Sequence, residues 1–358
     1  MQIIIVSPSL NPTKNVSGIS SVTNFIIENN PCHNYIHFEL GRKDNEKGGI
    51  YRIGSVLNRY KEWKHMLQKY PNAIVHYNFP LEKPSILRDT PFMHAALKNG
   101  NKMVIHIHGG IFLTSERIPF PFLQLLEHVF SWEVPFITLS KKEAEILRDK
   151  FHAKYAISLP NCIDIGEAKV FEREYKDTDH PLTLGYLGRI TKTKGMDYLL
   201  EACSILKKGN IPFSLKLAGA EEIEGQYIPQ FNELLGNQFE YSGIVSGENK
   251  KEFLQSLDAL IMPTFFEGLP MSLLECMSFG VVPVITPVGS IPTVVFDQQN
   301  GLFIKIKDSE SIVKAITYLH NNRDYLIQMS QSSRNFIFEH FDPVTYIESL
   351  NNLYQAIN

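Results

Sequence analysis

Short, continuously apolar runs alternate with longer amphipathic stretches along most of the chain, and the alternation starts twice. The first series of runs is IIIVS (3–7), YIHFEL (35–40), AIVHYN (73–78), MVIHIHG (103–109) and FITLS (136–140). Helical patterns lie between and after them at about 19–29, 52–69, 86–98, 119–130 and 141–149. The second series is LTLGYLG (182–188), SLKLAG (214–219), FEYSG (239–243), ALIMP (259–263), VVPVIT (281–286) and GLFIKI (301–306). Its helical patterns fall at 194–208, 247–256, 270–279 and 309–322. A strand that is apolar at every residue is covered on both faces, and strand–helix alternation supplies the cover. The expected fold is α/β, with two doubly wound parallel sheets. A length of 358 residues suits two domains, since single cores stop growing at roughly 250–300 residues.

The expected boundaries follow from polarity. Residues 1–163 form the first domain and 182–338 the second. Between them DIGEAKVFEREYKDTDHP (164–181) is polar, weakly periodic and closed by proline, as a linker would be. The tail 339–358 carries a helix pattern that could cross back to the first domain. Doubly wound sheets bind ligands outside the carboxyl ends of their strands, so a cleft shared by two such sheets is the expected site.

Several function classes drop out. A net charge of −3 gives no global attraction to nucleic acid. Cys32, Cys162, Cys203 and Cys276 have neither metal nor disulfide spacing, which suits free thiols in a reducing compartment. The start, MQIIIVSPSL, reads as a buried strand and lacks the charged start and long apolar core of a signal peptide. No run approaches the roughly 18 apolar residues of a membrane span. The expected location is cytoplasmic. No GxGxxG follows the first strand, which argues against a nicotinamide dehydrogenase. No Asp-x-Asp stands at a strand end, so no metal and no cofactor is expected.

The loops at the strand ends carry the candidate chemistry. Gly18 opens the helix that begins near Ile19 and would let backbone approach a phosphate, unless it is a plain loop glycine. His106 and His108 point to one side by strand alternation, and His108 is the last side chain before Gly109-Gly110. His108 is therefore the candidate, His106 a structural histidine. Arg189 and Lys194 follow Gly188, and two cations on one such loop would neutralise a diphosphate. Glu267 and Glu275 stand in FFEGLPMSLLECMSFGVVPV, an otherwise apolar run. Pro270 suits the first turn of a helix, so Glu267 lies beside free backbone N–H groups, with Glu275 about one and a half turns on. Two carboxylates and an N–H nest suit a polyhydroxylated ligand. The plain alternative is one structural salt bridge and one exposed helix charge.

At these residues the sequence resembles the retaining glycosyltransferases of family 4, which have the GT-B fold. EGLPMSLLECMSFGVVPVITPVGSIPTVV is similar to that family's paired-glutamate signature, LGRITKTKGMDYLLEA to its Gly-Arg…Lys-Gly segment, LPNCIDI to its interdomain segment and NVSGISSV to its Gly-Gly loop. The resemblance implies backbone contact of Gly18 with the donor phosphates, and diphosphate binding by Arg189 and Lys194. It implies that Glu275 holds the ribose and that Glu267 contacts the donor sugar, helped by backbone N–H groups of the segment Gly268, Leu269, Pro270, Met271, in which Pro270 itself has no N–H to give. It places His108 near the reactive end of the sugar and the base beside Ile244 and Val245. Ser17, Cys162, Ser290 and Thr293 depart from the family pattern, outside the two-glutamate and two-cation set. The implied reaction is transfer of a sugar from a nucleoside diphosphate sugar, UDP first by family frequency, to a glycan or lipid-linked glycan hydroxyl, with retention and without a metal. A non-hydrolysing nucleotide-sugar epimerase and a non-catalytic sugar-nucleotide-binding protein are the rival readings.

One surface stands apart. YRIGSVLNRYKEWKHMLQKY (51–70) sets Arg52, Arg59, Lys61, Lys64 and Lys69 against Glu62, with Ile53, Val56, Leu57, Tyr60, Trp63 and Leu67 as an apolar stripe. It reads as a sheet-packing helix with a solvated basic face, or as a peripheral contact with an anionic membrane carrying the acceptor.

Overall fold

The computed structural model describes residues 1–11, 17–41, 51–115, 117–175 and 180–358, without the side chains of 51–53, 111 and 114. These residues divide into two units, Met1–Cys162 with Pro343–Asn358, and Ile163–Asp342.

The first unit runs β1 (Gln2–Ser7), α1 (Gly18–Asn29), β2 (Asn34–Glu39), α2 (Tyr51–Lys69), β3 (Ile74–Phe79) and α3 (Lys83–Lys98). It continues with β4 (Met103–Ile107), α4 (Ile111–Thr114), α5 (Phe122–Phe130), β5 (Phe136–Thr138), α6 (Lys141–Phe151) and β6 (Ala156–Ser158). All strand pairs are parallel, in the order β2-β1-β3-β4-β5-β6. The apolar runs form its middle: Ile3, Ile4, Ile5, Val75, Ile105 and Ile107 are fully buried. In α1 the buried Val22, Phe25 and Ile26 recur at helical spacing and face the sheet.

The second unit begins with α7 (Gly166–Val170), β7 (Leu182–Leu187), α8 (Met196–Lys208), β8 (Phe213–Ala218), α9 (Ile228–Leu235), β9 (Phe239–Tyr241) and α10 (Gly247–Ser256). It closes with β10 (Ala259–Met262), α11 (Met271–Ser278), β11 (Val282–Ile285), β12 (Leu302–Phe303), α12 (Ser309–Asn321) and α13 (Arg323–His340). Its sheet is also wholly parallel, in the order β12-β11-β10-β7-β8-β9. The strand order turns at β1/β3 in the first unit and at β7/β10 in the second. Doubly wound sheets bind ligands at such points.

Three expectations change. Residues 164–181 are not a free linker, for they belong to the second unit. There Arg173 donates from Nε to Phe279 O (2.8 Å) and from Nη1 to Leu257 O (2.7 Å). Arg334 of α13 donates to Ala168 O at 2.6 Å and also to Phe171 O. The segment packs through guanidinium–carbonyl bonds, which a hydropathy pattern cannot show; residues 176–179 lie outside the described residues. The run at 301–306 makes only a two-residue strand, because Lys305 N already bonds Ser311 Oγ at 3.0 Å. The tail begins its helix, α14, at Pro343 (Pro343–Ile357), and Pro343–Asn358 counts with the first unit. In α14, Tyr354 and Leu350 are fully buried, and Tyr346 meets Phe25 edge-on at 5.6 Å.

Candidate functional site

In the second unit the candidate residues gather at the carboxyl ends of β7 and β10. After β7 come Gly188, the half-buried Arg189, a 3-10 turn at Lys192–Lys194 and Gly195. Gly195 has φ +81°, and a Cβ there would stand 2.1 Å from Pro263 O, so only glycine lets this turn lie against the end of β10. The result is an ion pair between Lys194 Nζ and Glu267 Oε1, with both side chains largely covered. The two groups come from loops of neighbouring strands, 73 residues apart in sequence.

Glu267 is held from behind. Gly289 has φ +57°, and its Cβ position would lie 2.0 Å from Glu267 O. Ser290 N donates to Gly268 O at 3.0 Å. Leu269 and Met271 turn their side chains into the core, so only their backbone is on offer to a ligand. Pro270 is the N-cap of α11 (φ −66°, ψ 129°), one residue ahead of the helix and not in its first turn. The half-buried Glu275, in the middle of α11, accepts a 2.7 Å bond from Lys250 Nζ of α10. The plain alternative holds in its salt-bridge half and not in the other: each glutamate pairs with its own lysine, and neither is an exposed helix charge. Lys250 went unread because its partner is 25 residues away and no spacing joins them.

Ile244 and Val245 lie in the loop between β9 and α10, with Ile244 exposed and Val245 half-buried. That loop is pinned to β8 by Gly219 N to Gly243 O (2.7 Å), and α10 behind it carries Lys250. The base loop and the ribose glutamate expected from sequence are thus joined through Lys250–Glu275.

In the first unit Gly18 is the first residue of α1, with nothing near its Cβ position. Residues 12–16 of the preceding loop, which hold part of the expected glycine motif, lie outside the described residues. His108 follows β4, is half-buried, and its Nε2 lies 2.6 Å from Asn78 Oδ1 at the end of β3. His106 is fully buried, and its ring stands 4.2 Å from that of His108. Its Nδ1 lies 3.3 Å from Nε2 of His76, whose Nδ1 meets the Tyr354 hydroxyl at 2.6 Å. Burial, reinforced by neighbouring rings, holds these histidines neutral. His76 and His108 are pushed down to about 3, and His106 well below its ordinary value. His108 keeps some surface, but the packing around it is dense enough to disfavour the imidazolium. Asn78 and His76 were not read as site residues; both sit in a run that looks like plain strand.

The apolar stripe of α2 is spent on the core. Trp63 is fully buried and donates to Phe92 O at 2.8 Å, and Leu67 is buried beside it. Leu57 is not part of the stripe, being 57% exposed. Lys61, Lys64 and Lys69 face solvent. Among the described residues no helix is long and apolar enough to cross a membrane, and no group of His, Cys, Asp or Glu is placed to hold a metal ion.

Residues 169–336 match the model of a family described as glycosyl transferases group 1. An uncharacterized glycosyltransferase of Haemophilus influenzae is 27% identical over 202 residues, 55% of each chain, so this chain spans about half of that relative. The UDP-Gal:alpha-D-GlcNAc-diphosphoundecaprenol alpha-1,3-galactosyltransferase of Escherichia coli is 23% identical over 329 residues, 85% of this chain and 80% of that one. The solved structure of Anabaena HepE in complex with UDP-glucose superposes with a TM-score of 0.74 over 99% of this chain and 100% of that one. At 14% identity that likeness speaks for the fold alone, and the fold class is the GT-B class expected from sequence.

Proposed function

Since residues 169–336 belong to the glycosyl transferases group 1 family, we propose that this protein transfers a sugar from a nucleoside diphosphate sugar to a hydroxyl of a glycan acceptor. The observation that carries the reading is the meeting of Lys194 and Glu267 where the second sheet reverses its strand order, with Arg189 on the same loop as Lys194. In such a reaction negative charge grows on the departing diphosphate, and fixed cations that meet it supply the largest catalytic contribution. Arg189 and Lys194 do this, with no metal needed. A bound diphosphate competes with Glu267 for Lys194, which frees the carboxylate to hold sugar hydroxyls. Glu275, oriented by Lys250, takes the ribose hydroxyls. The backbone of Ile244 and Val245 meets the base, and the N–H groups of Gly268 to Met271 assist at the sugar.

We take the donor to be a UDP-sugar and the acceptor a lipid-linked glycan, by analogy with the names of the E. coli relative and the HepE complex. That reading suits a role in cell-surface polysaccharide synthesis on the cytoplasmic face of a membrane. Configuration is retained by a front-face route, the leaving phosphate taking the acceptor proton. Gly18 would meet the donor phosphates by its backbone, and His108 the sugar.

Thermal-shift titration with UDP, GDP and ADP, without and then with magnesium, tests the donor site. A ligand of the native state raises the melting temperature by mass action. The expected result is a shift with UDP, independent of magnesium and weakened in Glu275→Ala and Lys194→Ala. A well-folded protein that responds to no nucleotide would overturn the donor site in favour of the non-catalytic reading.

A further inference from the structure

The hydrogen bonds around Asn78 fix more than the position of His108. Asn78 is 4% exposed at the end of β3, and its side chain has three partners. Its Nδ2 lies 2.9 Å from Val6 O at the end of β1 and 3.3 Å from Thr23 Oγ1 of α1. A carbonyl oxygen can only accept. Thr23 Oγ1 can donate, but its one hydrogen is already committed to Ile19 O at 2.8 Å. Both neighbours therefore demand the amide nitrogen, and the flipped amide would set oxygen against oxygen at both contacts. The amide oxygen must then face His108. With an oxygen 2.6 Å away that cannot donate, His108 Nε2 must carry the proton.

We propose that Asn78 is a positioning residue that holds His108 as the Nε2–H tautomer, so that its Nδ1 lone pair accepts a hydrogen bond from a substrate hydroxyl. The substrate part rests on the glycosyl-transfer reading above; the tautomer part does not. Among the described residues Nδ1 has no hydrogen-bond partner, while the ring retains access to solvent. A neutral ring at physiological pH, as its burial dictates, keeps that lone pair available. The Val6 and Thr23 contacts also tie this choice to the end of β1 and to α1, the helix that Gly18 opens. A nitrogen that only accepts selects a hydroxyl and discriminates against a ligand oxygen with no hydrogen, such as a carboxylate.

The test is nitrogen NMR on the full chain with 15N-labelled histidine. Of the 12 histidines, His108 is assigned by the signal lost in His108→Gln. At pH 7 the expected wild-type signature is a protonated Nε2 and a bare Nδ1. A protonated Nδ1, an exchanging mixture or a charged ring would overturn the proposal, whatever the enzyme does. Asn78→Leu removes the acceptor and should release a tautomer mixture. Asn78→Asp can still accept from Nε2–H and should keep Nε2 protonated, at a cost in stability because it sets oxygen against Val6 O and Thr23 Oγ1. A packing role would respond to both substitutions alike, and that result too would overturn the assignment. Added UDP-glucose or UDP-galactose should move Nδ1 and leave Nε2 in place. An unmoved Nδ1, in a sample whose thermal titration shows binding, would overturn the substrate contact. Absence of binding would sink the donor reading, while the tautomer signature still decides the role of Asn78.

Discussion

The carboxyl edges of the two sheets solve the problem of burying polar groups in opposite ways. In the second unit the edge is ionic, with Lys194 paired to Glu267 and Lys250 to Glu275, all partly covered. In the first it is neutral: Tyr354, His76 and His106 form one hydrogen-bonded series, and His108 bonds Asn78. Paired ions at an edge can be re-paired by an incoming charged ligand. Neutral rings in a hydrogen-bond series cannot bind an anion well, but they hold a fixed pattern of donors and acceptors. The ionic edge suits charge that develops in a reaction, and the neutral edge suits the reading of hydroxyls.

The largest effect should come from breaking the ionic edge. Lys194→Ala removes the cation and leaves Glu267 a partly buried carboxylate without its partner. Removing one preorganised charge that meets the transition state costs about 10²–10³ in kcat. Steady-state assays of UDP release should show the fall in kcat, with a smaller change in KM. A fall in KM-related binding alone would mean that Lys194 serves the ground state. The companion Lys250→Met should be milder, about tenfold weaker UDP affinity, because Lys250 acts through Glu275. A double-mutant cycle with Glu275→Gln should then give a coupling of about 0.5–3 kcal/mol in UDP binding. Additive losses would break the link between Lys250 and Glu275.

Much of this was legible in the sequence, and the reasons for the rest are physical. The sheets announced themselves because a strand covered on both faces has no polar alternation to confuse it. Three-residue β6 and eight-residue α9 carry too few residues for a period to show. The 18-residue α13 was hidden by its serines and glutamines, and it starts directly after Asn322, where α12 stops. Glu267 and Glu275 stood out because charge is rare in an apolar run, and Arg189 and Lys194 because they share a glycine-flanked loop at a strand end. Asn78, His76 and Lys250 did not, since their meaning lies in a partner on another strand or helix. Lys194 shows the limit well: the sequence flagged it as a cation, but only the fold shows that Glu267 already holds it.

The neutral edge makes a different prediction, in pH. Burial holds the folded-state value of His76 near 3, whereas in the unfolded chain it titrates near its ordinary 6.5. Below that value the unfolded chain binds protons the folded one refuses, so stability is full above about pH 6.5 and falls as pH drops towards 3. Each such ring contributes a slope of up to about 1.4 kcal/mol per pH unit. Urea unfolding at pH 7, 6 and 5 should show His76→Gln less stable at pH 7 but with a slope shallower by about one proton. An unchanged slope would mean that His76 is hydrated or charged in the folded protein.

The smallest effect tests where the first unit keeps its charge. Its carboxyl edge is neutral, yet α2 turns Lys61, Lys64 and Lys69 to solvent. Trp63 and Leu67 are buried in the core, so among the described residues of this helix only Leu57 turns a large apolar side chain fully outward, too little to anchor it in a bilayer. Any membrane contact through residues 51–70 must then be electrostatic, worth about 1 kcal/mol per lysine near an anionic surface and screened by salt. Co-sedimentation with vesicles containing phosphatidylserine should weaken by roughly tenfold or more in Lys61→Glu/Lys64→Glu and vanish for wild type at high salt. The thermal response to UDP should stay as it was, since neither lysine belongs to either sheet edge. Salt-resistant binding would require an apolar anchor elsewhere in the chain. No binding by the wild type would leave the basic face of α2 as a solvated surface and place the acceptor outside its reach.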